Sequence, residues 1–342
     1  MNKKTLLTAF LLTAAALASA QEAPDMSKEM AVVTLSTNFI RENPDYTAEL
    51  GDQALMGTLV EILGQESYWV KIKSPEPYYG WVNEMGLVRL TPEQVGEYLS
   101  APKYICTALF THVLENPSRK SSSITDLVQG DILRVGFKDN GKASRRKGFV
   151  EVVLPTDERG WVPEDEVEPF MEWASGRLAK ASDEEGLRRD LVSTALDFKG
   201  VSYMWGGTSI KNVDCSGMTR SVYFANGVLL PRNASQQARV GEDVRIFNDE
   251  GTFTSDELLP GDLLFWGKAA TAESRERISH VGMYIGDGKF IHSSQVVRIN
   301  DFATYPRVPV RARRIVGHID EKGSGVVSTL RSPWYFLQDG KL

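Results

Sequence analysis

The sequence feature that most limits the fold is a diverged internal repeat within residues 30–170. Two similar segments, Tyr79-Gly80-Trp81-Val82 and Arg159-Gly160-Trp161-Val162, each end a block of short alternating runs. Apolar segments upstream, residues 54–60 and 127–133, also match each other. The second copy contains about seven more residues, which we assign to the basic loop from Lys138 to Lys147. Short β-rich runs separated by glycines predict two small all-β barrels.

The beginning of the chain has the pattern of a secretory signal. Residues 1–20 contain Lys3 and Lys4, an apolar stretch, and small residues before the expected cleavage position. Because the residue directly after that position is not a cysteine, we expect no lipid anchor. The interpretation is a protein exported across the inner membrane and soluble in the periplasm or outside the cell. Acidic and basic residues are interspersed, without a basic stripe, which argues against a nucleic acid as partner.

Two capping boxes predict helices after the first repeat and after the second. Thr91-Pro92-Glu93-Gln94 begins a short linker helix that Pro102 ends. Ser182-Asp183-Glu184-Glu185 opens a longer helix that Gly200 closes. The apolar residues of this second helix are expected on one face: Leu187, Leu191, Val192, Ala195 and Leu196. Another helix and several strands follow it, so the fold class predicted for this part is α+β.

Cys215 is the candidate nucleophile. It lies in Asn212-Val213-Asp214-Cys215-Ser216-Gly217, just before a predicted helix that ends at Gly227. Unpaired N–H groups and the helix dipole at that position are expected to lower the pKa of the thiol. The other cysteine, Cys106, lies in an apolar run typical of a strand, and we expect it to be a buried free thiol.

Two histidines downstream complete a candidate catalytic triad if they share one face of a hairpin. A two-residue turn at Asp287-Gly288 would place His280 and His292 on opposite faces, whereas a three-residue loop from Gly286 to Gly288 would place them together. We predict the three-residue loop. His280 would then act as the general base, and His292 would orient its imidazole. Tyr203 and the backbone N–H of Cys215 are candidates for stabilising the oxyanion.

Other roles for these residues were weighed. Cys215 alone is compatible with a small buried core residue, and His280 alone with a structural histidine. Cys215, His280 and His292 together could in principle bind zinc, but no closely spaced ligand pair or obvious fourth ligand accompanies them. We therefore predict no metal and no cofactor.

Four ordered motifs resemble the NlpC-type cysteine peptidases of bacterial cell walls, and the repeat resembles bacterial SH3-like domains. The motifs are Tyr203-Met204-Trp205-Gly206-Gly207, Asp214-Cys215-Ser216-Gly217, residues 279–286 and Phe290-Ile291-His292. The resemblance implies a permuted papain-like catalytic domain preceded by two small all-β SH3-like barrels. The corresponding boundaries are 28–90 for the first SH3-like domain, 91–102 for the linker helix, 103–172 for the second SH3-like domain, 183–320 for the peptidase domain and 321–342 for a C-terminal tail.

The arrangement looks most like the γ-D-glutamyl-L-diamino acid endopeptidases. These enzymes cut murein tripeptides and tetrapeptides between D-Glu and the diamino acid, favour a free N-terminal L-Ala, and act in cell-wall recycling. The resemblance implies substrate-binding roles for Asp214, Ser216 and Ser235, although an aspartate at a helix start is also an ordinary cap, and serines are also caps and turn formers. It further implies an acid from the first SH3-like domain, Glu49 by position, and a tyrosine, either Tyr78 or Tyr79.

Two other functional classes stay open from the sequence. Related folds include amidases and acyltransferases, which also form thioesters. A third possibility is a non-catalytic peptidoglycan-binding protein, in which the SH3-like domains carry the function. The motifs do not indicate which diamino acid is preferred or what the oligomeric state is.

Overall fold

The computed structural model describes residues 22–338, so the predicted signal segment lies outside the described residues. The N-terminal part is a single antiparallel sheet of order β3-β2-β6-β5-β4-β1-β7. Its core is formed by alternate apolar residues, among them Ala31, Val60 and Val82. The strands are β1 (Glu29–Val33), β2 (Thr37–Arg41), β3 (Leu50–Leu55), β4 (Leu59–Glu66), β5 (Trp69–Lys73), β6 (Tyr79–Asn83) and β7 (Leu87–Leu90).

A second sheet repeats this topology. Its order, β10-β9-β14-β13-β11-β8-β15, is that of the first sheet strand for strand, which confirms the repeat. The additional strand β12 lies inside the predicted insertion from Lys138 to Lys147 and pairs with β13. This confirms the position of the insertion. The strands are β8 (Lys103–Cys106), β9 (Phe110–Leu114), β10 (Ser123–Val128), β11 (Ile132–Val135), β12 (Arg145–Arg146), β13 (Phe149–Val153), β14 (Arg159–Pro163) and β15 (Val167–Pro169).

Helix α1 (Pro92–Ser100) connects the two sheets and begins as predicted. The Thr91 hydroxyl accepts from the Gln94 N–H, and the Gln94 side chain accepts from the Thr91 N–H. Helices α2 (Phe170–Lys180) and α3 (Glu184–Asp197) follow the second sheet.

The prediction for α3 was partly wrong. Asp183, not Ser182, caps this helix, because its carboxylate accepts the Gly186 N–H at 3.0 Å. Leu187 and Leu191 are buried, but Leu196 is 42% exposed. Ala195 and Phe198 at the end of the helix are buried, so Leu196 alone turns away from the core face and the apolar stripe is narrower than the sequence indicated.

The C-terminal part is α+β, as predicted. Helix α4 packs against the strands β21 and β22 of a six-stranded sheet of order β19-β24-β20-β21-β22-β23. Two short sheets, β16-β17 and β18-β25, lie outside it. The elements are β16 (Thr208–Ser209), β17 (Asn212–Val213), α4 (Cys215–Ala225), β18 (Val228–Leu229), α5 (Ala234–Gln237), β19 (Glu242–Val244), β20 (Leu263–Lys268), β21 (Arg277–Gly286), β22 (Lys289–Ser293), β23 (Val297–Asp301), β24 (Arg311–Arg314) and β25 (Val327–Ser328).

The β21–β22 hairpin has the predicted register but not the predicted turn. Met283 pairs with Ile291 and Tyr284 with Phe290, which is the register that places both histidines on one face. The turn itself is the two-residue Asp287-Gly288 type, with both residues at positive φ. A bulge between Tyr284 and Gly286 supplies the one-residue offset that we assigned to a longer loop.

A hydrophobic core is shared by all parts of the chain. One cluster contains residues of the two N-terminal β sheets, of α1 and α2, and of β18, together with Trp334, Tyr335 and Phe336. Trp334 is 1% exposed, and its indole N–H donates to the carbonyl of Glu22 at 2.7 Å. This segment therefore holds the SH3-like region and the catalytic part together. No helix within residues 22–338 is long and apolar enough to cross a membrane.

Candidate active site

Cys215 is itself the first residue of α4, so this helix begins earlier than predicted, and the cysteine lies at the helix N-terminus as expected. Asp214 caps the helix, and its Oδ1 accepts the Gly217 N–H at 2.7 Å. The cysteine is 8% exposed and belongs to the core cluster that α4 forms with the large sheet. Cys106 is buried elsewhere, in the second sheet, and both thiols are free.

The expected low pKa of the Cys215 thiol was wrong. Burial raises the pKa to about 11, and the negative charge of Asp214 acts in the same direction. Backbone N–H groups of Val281 and Ser216 hydrogen-bond to the thiol and lower its pKa, but by less than burial raises it. The helix position thus orients the thiol without ionising it.

The bond from Val281 also locates the thiol relative to the general base. Val281 directly follows His280 on β21, and α4 packs against this strand. The thiol of Cys215 therefore lies at the backbone position next to His280.

The two histidines contact each other directly. His280 Nε2 and His292 Nδ1 are 2.6 Å apart, and His292 Nε2 lies 2.9 Å from Oδ1 of Asn300. Because an amide oxygen only accepts, His292 Nε2 carries the proton and its Nδ1 accepts one from His280 Nε2. This leaves Nδ1 of His280 unprotonated and available as the base for the thiol.

Sequence reasoning missed Asn300. It lies on β23, where Arg298 pairs with His292, so Asn300 is the diagonal neighbour of this histidine. The register of β22 with β23 would have identified it, but the sequence between these strands does not indicate where pairing begins.

Aromatic rings pack on both histidines, of which His292 is buried and His280 is partly exposed. The Trp266 ring lies 5.6 Å from His280, and the Tyr305 ring lies 5.7 Å from His292. Burial lowers the pKa of His280 to about 3, and the charge of Arg307 and any protonation of His292 act in the same direction. Burial also lowers the pKa of His292. Both imidazoles are therefore neutral at pH 7, which agrees with the tautomers assigned from the hydrogen bonds.

Tyr203 lies beside the nucleophile. Its backbone N–H donates to the Gln295 carbonyl at 2.9 Å, and it forms a bridge with Val213, two residues before Cys215. Burial raises the pKa of its hydroxyl to about 12, and the neighbouring Cys215 and Asp214 raise it further. The hydroxyl is protonated at neutral pH and can donate to an oxyanion.

The carboxylate of Asp214 accepts more hydrogen bonds than the sequence indicated. Its oxygens accept from the N–H groups of Gly206 and Gly217, and from Arg232 through Nη1 at 3.1 Å and Nη2 at 2.6 Å. Ser216 also donates to it, and Arg232 Nη1 donates to the Ser216 hydroxyl. Asp214 thus acts as a helix cap and as the partner of a buried arginine, which leaves its negative charge but few free lone pairs for a ligand.

The first SH3-like domain reaches this site through residues that sequence reasoning missed. Asp52 accepts from Arg232 Nε at 2.6 Å and from the Thr208 hydroxyl at 2.7 Å. Gln53 accepts the Thr208 N–H at 2.8 Å. At Gly206 the backbone has φ +78, and an added Cβ would lie 2.7 Å from the backbone oxygen of Leu50. The domain therefore contacts the loop that leads to Asp214.

The remaining predicted binding residues lie in different surroundings. Ser235 is exposed on α5, and Glu49 is exposed on the loop before β3. Tyr78 is half-buried, its hydroxyl lies 3.4 Å from Glu42, and nearby Asp52 and Arg232 influence its pKa. Tyr79 is 53% exposed. Of the two tyrosines, Tyr78 is the one beside the charged groups of the site, and the role of Glu49 stays a prediction.

The part of the chain that the structure describes contains no group of three or more His, Cys, Asp or Glu residues that could hold a metal. The donors of the site are instead paired with each other, as His280 with His292 and Asp214 with Arg232. Nucleophile, base, orienting group and hydroxyl donor are the set that acyl transfer through a thioester requires.

Comparison with known proteins agrees with this geometry. Residues 200–310 match the model of the NlpC/P60 family, and residues 36–87 match the model of the bacterial SH3 domain. The catalytic domain belongs to the NlpC/P60 family of cysteine peptidases. The resemblance inferred from the motifs is thereby confirmed.

Several curated proteins are similar to this chain over most of its length. Dipeptidyl-peptidase 6 of Lysinibacillus sphaericus is 28% identical over 77% of this chain and 86% of its own length. The gamma-D-glutamyl-L-lysine dipeptidyl-peptidase of Bacillus cereus is 28% identical over 73% of this chain and 69% of its own. The crystal structure of an NlpC/P60 family protein from Bacillus cereus superposes with a TM-score of 0.64 at 23% identity, covering 84% of this chain and 99% of that one, and shows the same fold.

Proposed function

We propose that this cell-wall peptidase hydrolyses the bond between γ-D-Glu and the diamino acid in murein peptides with a free N-terminal L-Ala. Two of its relatives are named gamma-D-glutamyl-L-lysine dipeptidyl-peptidase, and they match across the SH3-like region as well as the catalytic domain. The proposed role is the recycling of released wall peptides in the periplasm or outside the cell.

The observation that carries the proposal is the contact between the first SH3-like domain and the catalytic loop. Asp52 and Gln53 bind Thr208, and Leu50 packs on Gly206, whose N–H donates to Asp214. A second domain placed at one end of a cleft narrows that end, and this favours short peptides over an intact polymer. The charge of Asp214 and its neighbours favours an ammonium group at the same end.

The chemistry begins with transfer of the Cys215 proton to Nδ1 of His280. The thiolate sulfur attacks the γ-carbonyl carbon of D-Glu, and the oxyanion accepts hydrogen bonds from Tyr203 and from the Cys215 N–H. The C–N bond then breaks as His280 returns its proton to the amine of the diamino acid. Water, deprotonated by His280, hydrolyses the thioester and releases L-Ala-D-Glu and the free thiol.

In the same scheme, His292 holds His280 in the required tautomer through the 2.6 Å contact. Ser216 fixes Asp214 and Arg232, and Ser235 and Tyr78 line the amine end. Glu49 on the loop before β3 and Tyr79 at the start of β6 are both exposed, and this scheme assigns them no contact.

Hydrolysis of L-Ala-γ-D-Glu-diaminopimelate tests the proposal. We expect cleavage by the wild-type protein, none by Cys215→Ala, and wild-type rates for Cys106→Ala, which removes the other buried thiol. An N-acetylated peptide should be cut much more slowly. Failure of the wild-type protein to cut either peptide would favour a binding protein, and transfer to an added amine instead of water would indicate an acyltransferase.

A further inference from the structure

Five charged residues form a buried chain between the first SH3-like domain and the NlpC/P60 domain. Asp214 binds Arg232, Arg232 binds Asp52, Asp52 binds Arg220, and Arg220 binds Glu76. The closest N–O distances are 2.6 Å at Arg232–Asp214, Arg232–Asp52 and Arg220–Glu76, and 3.0 Å at Arg220–Asp52. Four of the side chains are at least nine-tenths buried, and that of Arg220 is 13% exposed.

This chain of ion pairs contains unequal numbers of acidic and basic side chains. It contains three carboxylates, those of Asp52, Glu76 and Asp214, but only two guanidinium groups. Burial acts to lower the pKa of Arg220 and of Arg232, but the neighbouring carboxylates together outweigh it and raise both, so both side chains remain cationic. By formal charge the chain therefore contains one more carboxylate than guanidinium group, and its side chains are largely buried, where a charge acts strongly on an arriving cation.

Asp52 determines how this charge is distributed. The guanidinium of Arg232 divides its donors: Nε binds Asp52, whereas Nη1 and Nη2 bind Asp214. Without the charge on Asp52, the full positive charge of Arg232 would compensate Asp214 alone. The site beside Cys215 would then lose its attraction for an ammonium group.

We propose that Asp52 is a specificity-determining residue that gives the enzyme its preference for peptides with a free amino terminus. The proposal rests on the proposed function and adds to it the residue that supplies the selecting charge. Asp52 acts from the SH3-like domain through Arg232, so this domain takes part in substrate selection by electrostatics as well as by shape.

Asp52→Asn tests this inference, because asparagine keeps the size and one acceptor oxygen but removes the charge. We expect KM for L-Ala-γ-D-Glu-diaminopimelate to rise about tenfold, with kcat nearly unchanged. The rate with the N-acetylated peptide should not change, so the ratio between the two substrates falls. Asp52→Glu, which restores the charge, should recover most of that ratio.

Asp45→Asn is the matched control, since Asp45 is an exposed acid of the same domain whose carboxylate hydrogen-bonds to Thr47. It removes the same charge from the protein and should leave both KM values unchanged. Thermal unfolding of each variant checks that the proteins are folded. If Asp52→Asn does not fold, Glu76→Gln removes the same charge two ion pairs further along the chain and should raise KM about threefold.

The outcomes separate the two proposals. A wild-type protein that cuts the acetylated peptide as fast as the free one overturns the proposed function. A wild-type protein that prefers the free peptide, together with a folded Asp52→Asn or Glu76→Gln variant that keeps the full preference, overturns the role of Asp52 alone. A fall of kcat without a rise of KM would also overturn it, because that pattern indicates a merely structural effect on the triad.

Discussion

The charge state of the catalytic pair gives the prediction that can be tested most directly. Burial raises the pKa of the Cys215 thiol to about 11 and lowers that of the His280 imidazole to about 3. At pH 7 the thiolate fraction is then about 10⁻⁴, and it grows tenfold for each unit of pH. Iodoacetamide reacts with thiolates and not with thiols. We therefore expect the rate of Cys215 alkylation to rise about tenfold per unit between pH 6 and pH 9.

Two variants make the assay specific. Burial also raises the pKa of Cys106, so alkylation of Cys215→Ala should be negligible over this range and measures the background. His280→Asn should react with the same slope as the wild-type protein, because a neutral imidazole does not hold a thiolate. Alkylation is followed by mass spectrometry, with inactivation measured in parallel.

A rate that is independent of pH between pH 5 and pH 8 would refute this reasoning. Such a plateau is the mark of a thiolate–imidazolium pair that exists before substrate binds. It would mean that the helix N-terminus and the charge on His280 together outweigh the loss of water around the thiol. The slope of His280→Asn would then differ from that of the wild-type protein.

Three further changes follow from the packing around the site. Asn300→Ala removes the acceptor that fixes the His292 tautomer and should lower kcat about tenfold with little change in KM, measured on the free tripeptide. Gly282→Ala places a Cβ 3.1 Å from the Cβ of His292 and 3.3 Å from the Trp266 ring. The substitution should lower the free energy of unfolding by about 1–3 kcal/mol. It should also displace the histidine pair, so that kcat falls. Trp334→Ala removes a 1% exposed side chain from the shared core and should cost about 3–5 kcal/mol, measured by urea denaturation against the exposed control Phe110→Ala.

Each of these has a result that contradicts it. Equal kcat for Asn300→Ala and the wild-type protein would show that the His280 contact alone fixes the tautomer. Full activity of Gly282→Ala would show that the hairpin accommodates the methyl group. Equal losses of stability for Trp334→Ala and Phe110→Ala would place Trp334 outside the cooperative core.

The sequence was sufficient for the parts of the site that depend on local order. The repeated Gly-Trp-Val strands gave the two matching sheets, and the spacing of His280 and His292 gave their common face. The turn was wrong because a bulge and a longer loop produce the same register, and the alternation of side chains does not distinguish them. Local rules also misjudged Cys215, since the dipole of a helix is a local property whereas burial depends on the tertiary fold.

The ion pairs between domains were beyond sequence reasoning for a different reason. Asp52 and Arg232 are 180 residues apart in the chain, and charged residues usually indicate surface positions. The family resemblance implied Glu49 by its position in the sequence, whereas the acid that binds Arg232 is Asp52, three positions away on strand β3. Only the packing of the domains shows which acids become buried and paired.

The shared core around Trp334, Tyr335 and Phe336 has a consequence for how the protein is made. The other residues of this cluster are synthesised earlier. Their apolar surface therefore stays uncovered until residues 334–336 have been synthesised. A shortened product ending before Trp334 would contain the nucleophile and both histidines, yet it would expose this surface to proteases and to aggregation. A chain that includes this segment is therefore expected to persist as folded enzyme, whereas a shortened copy is expected to be degraded or to aggregate.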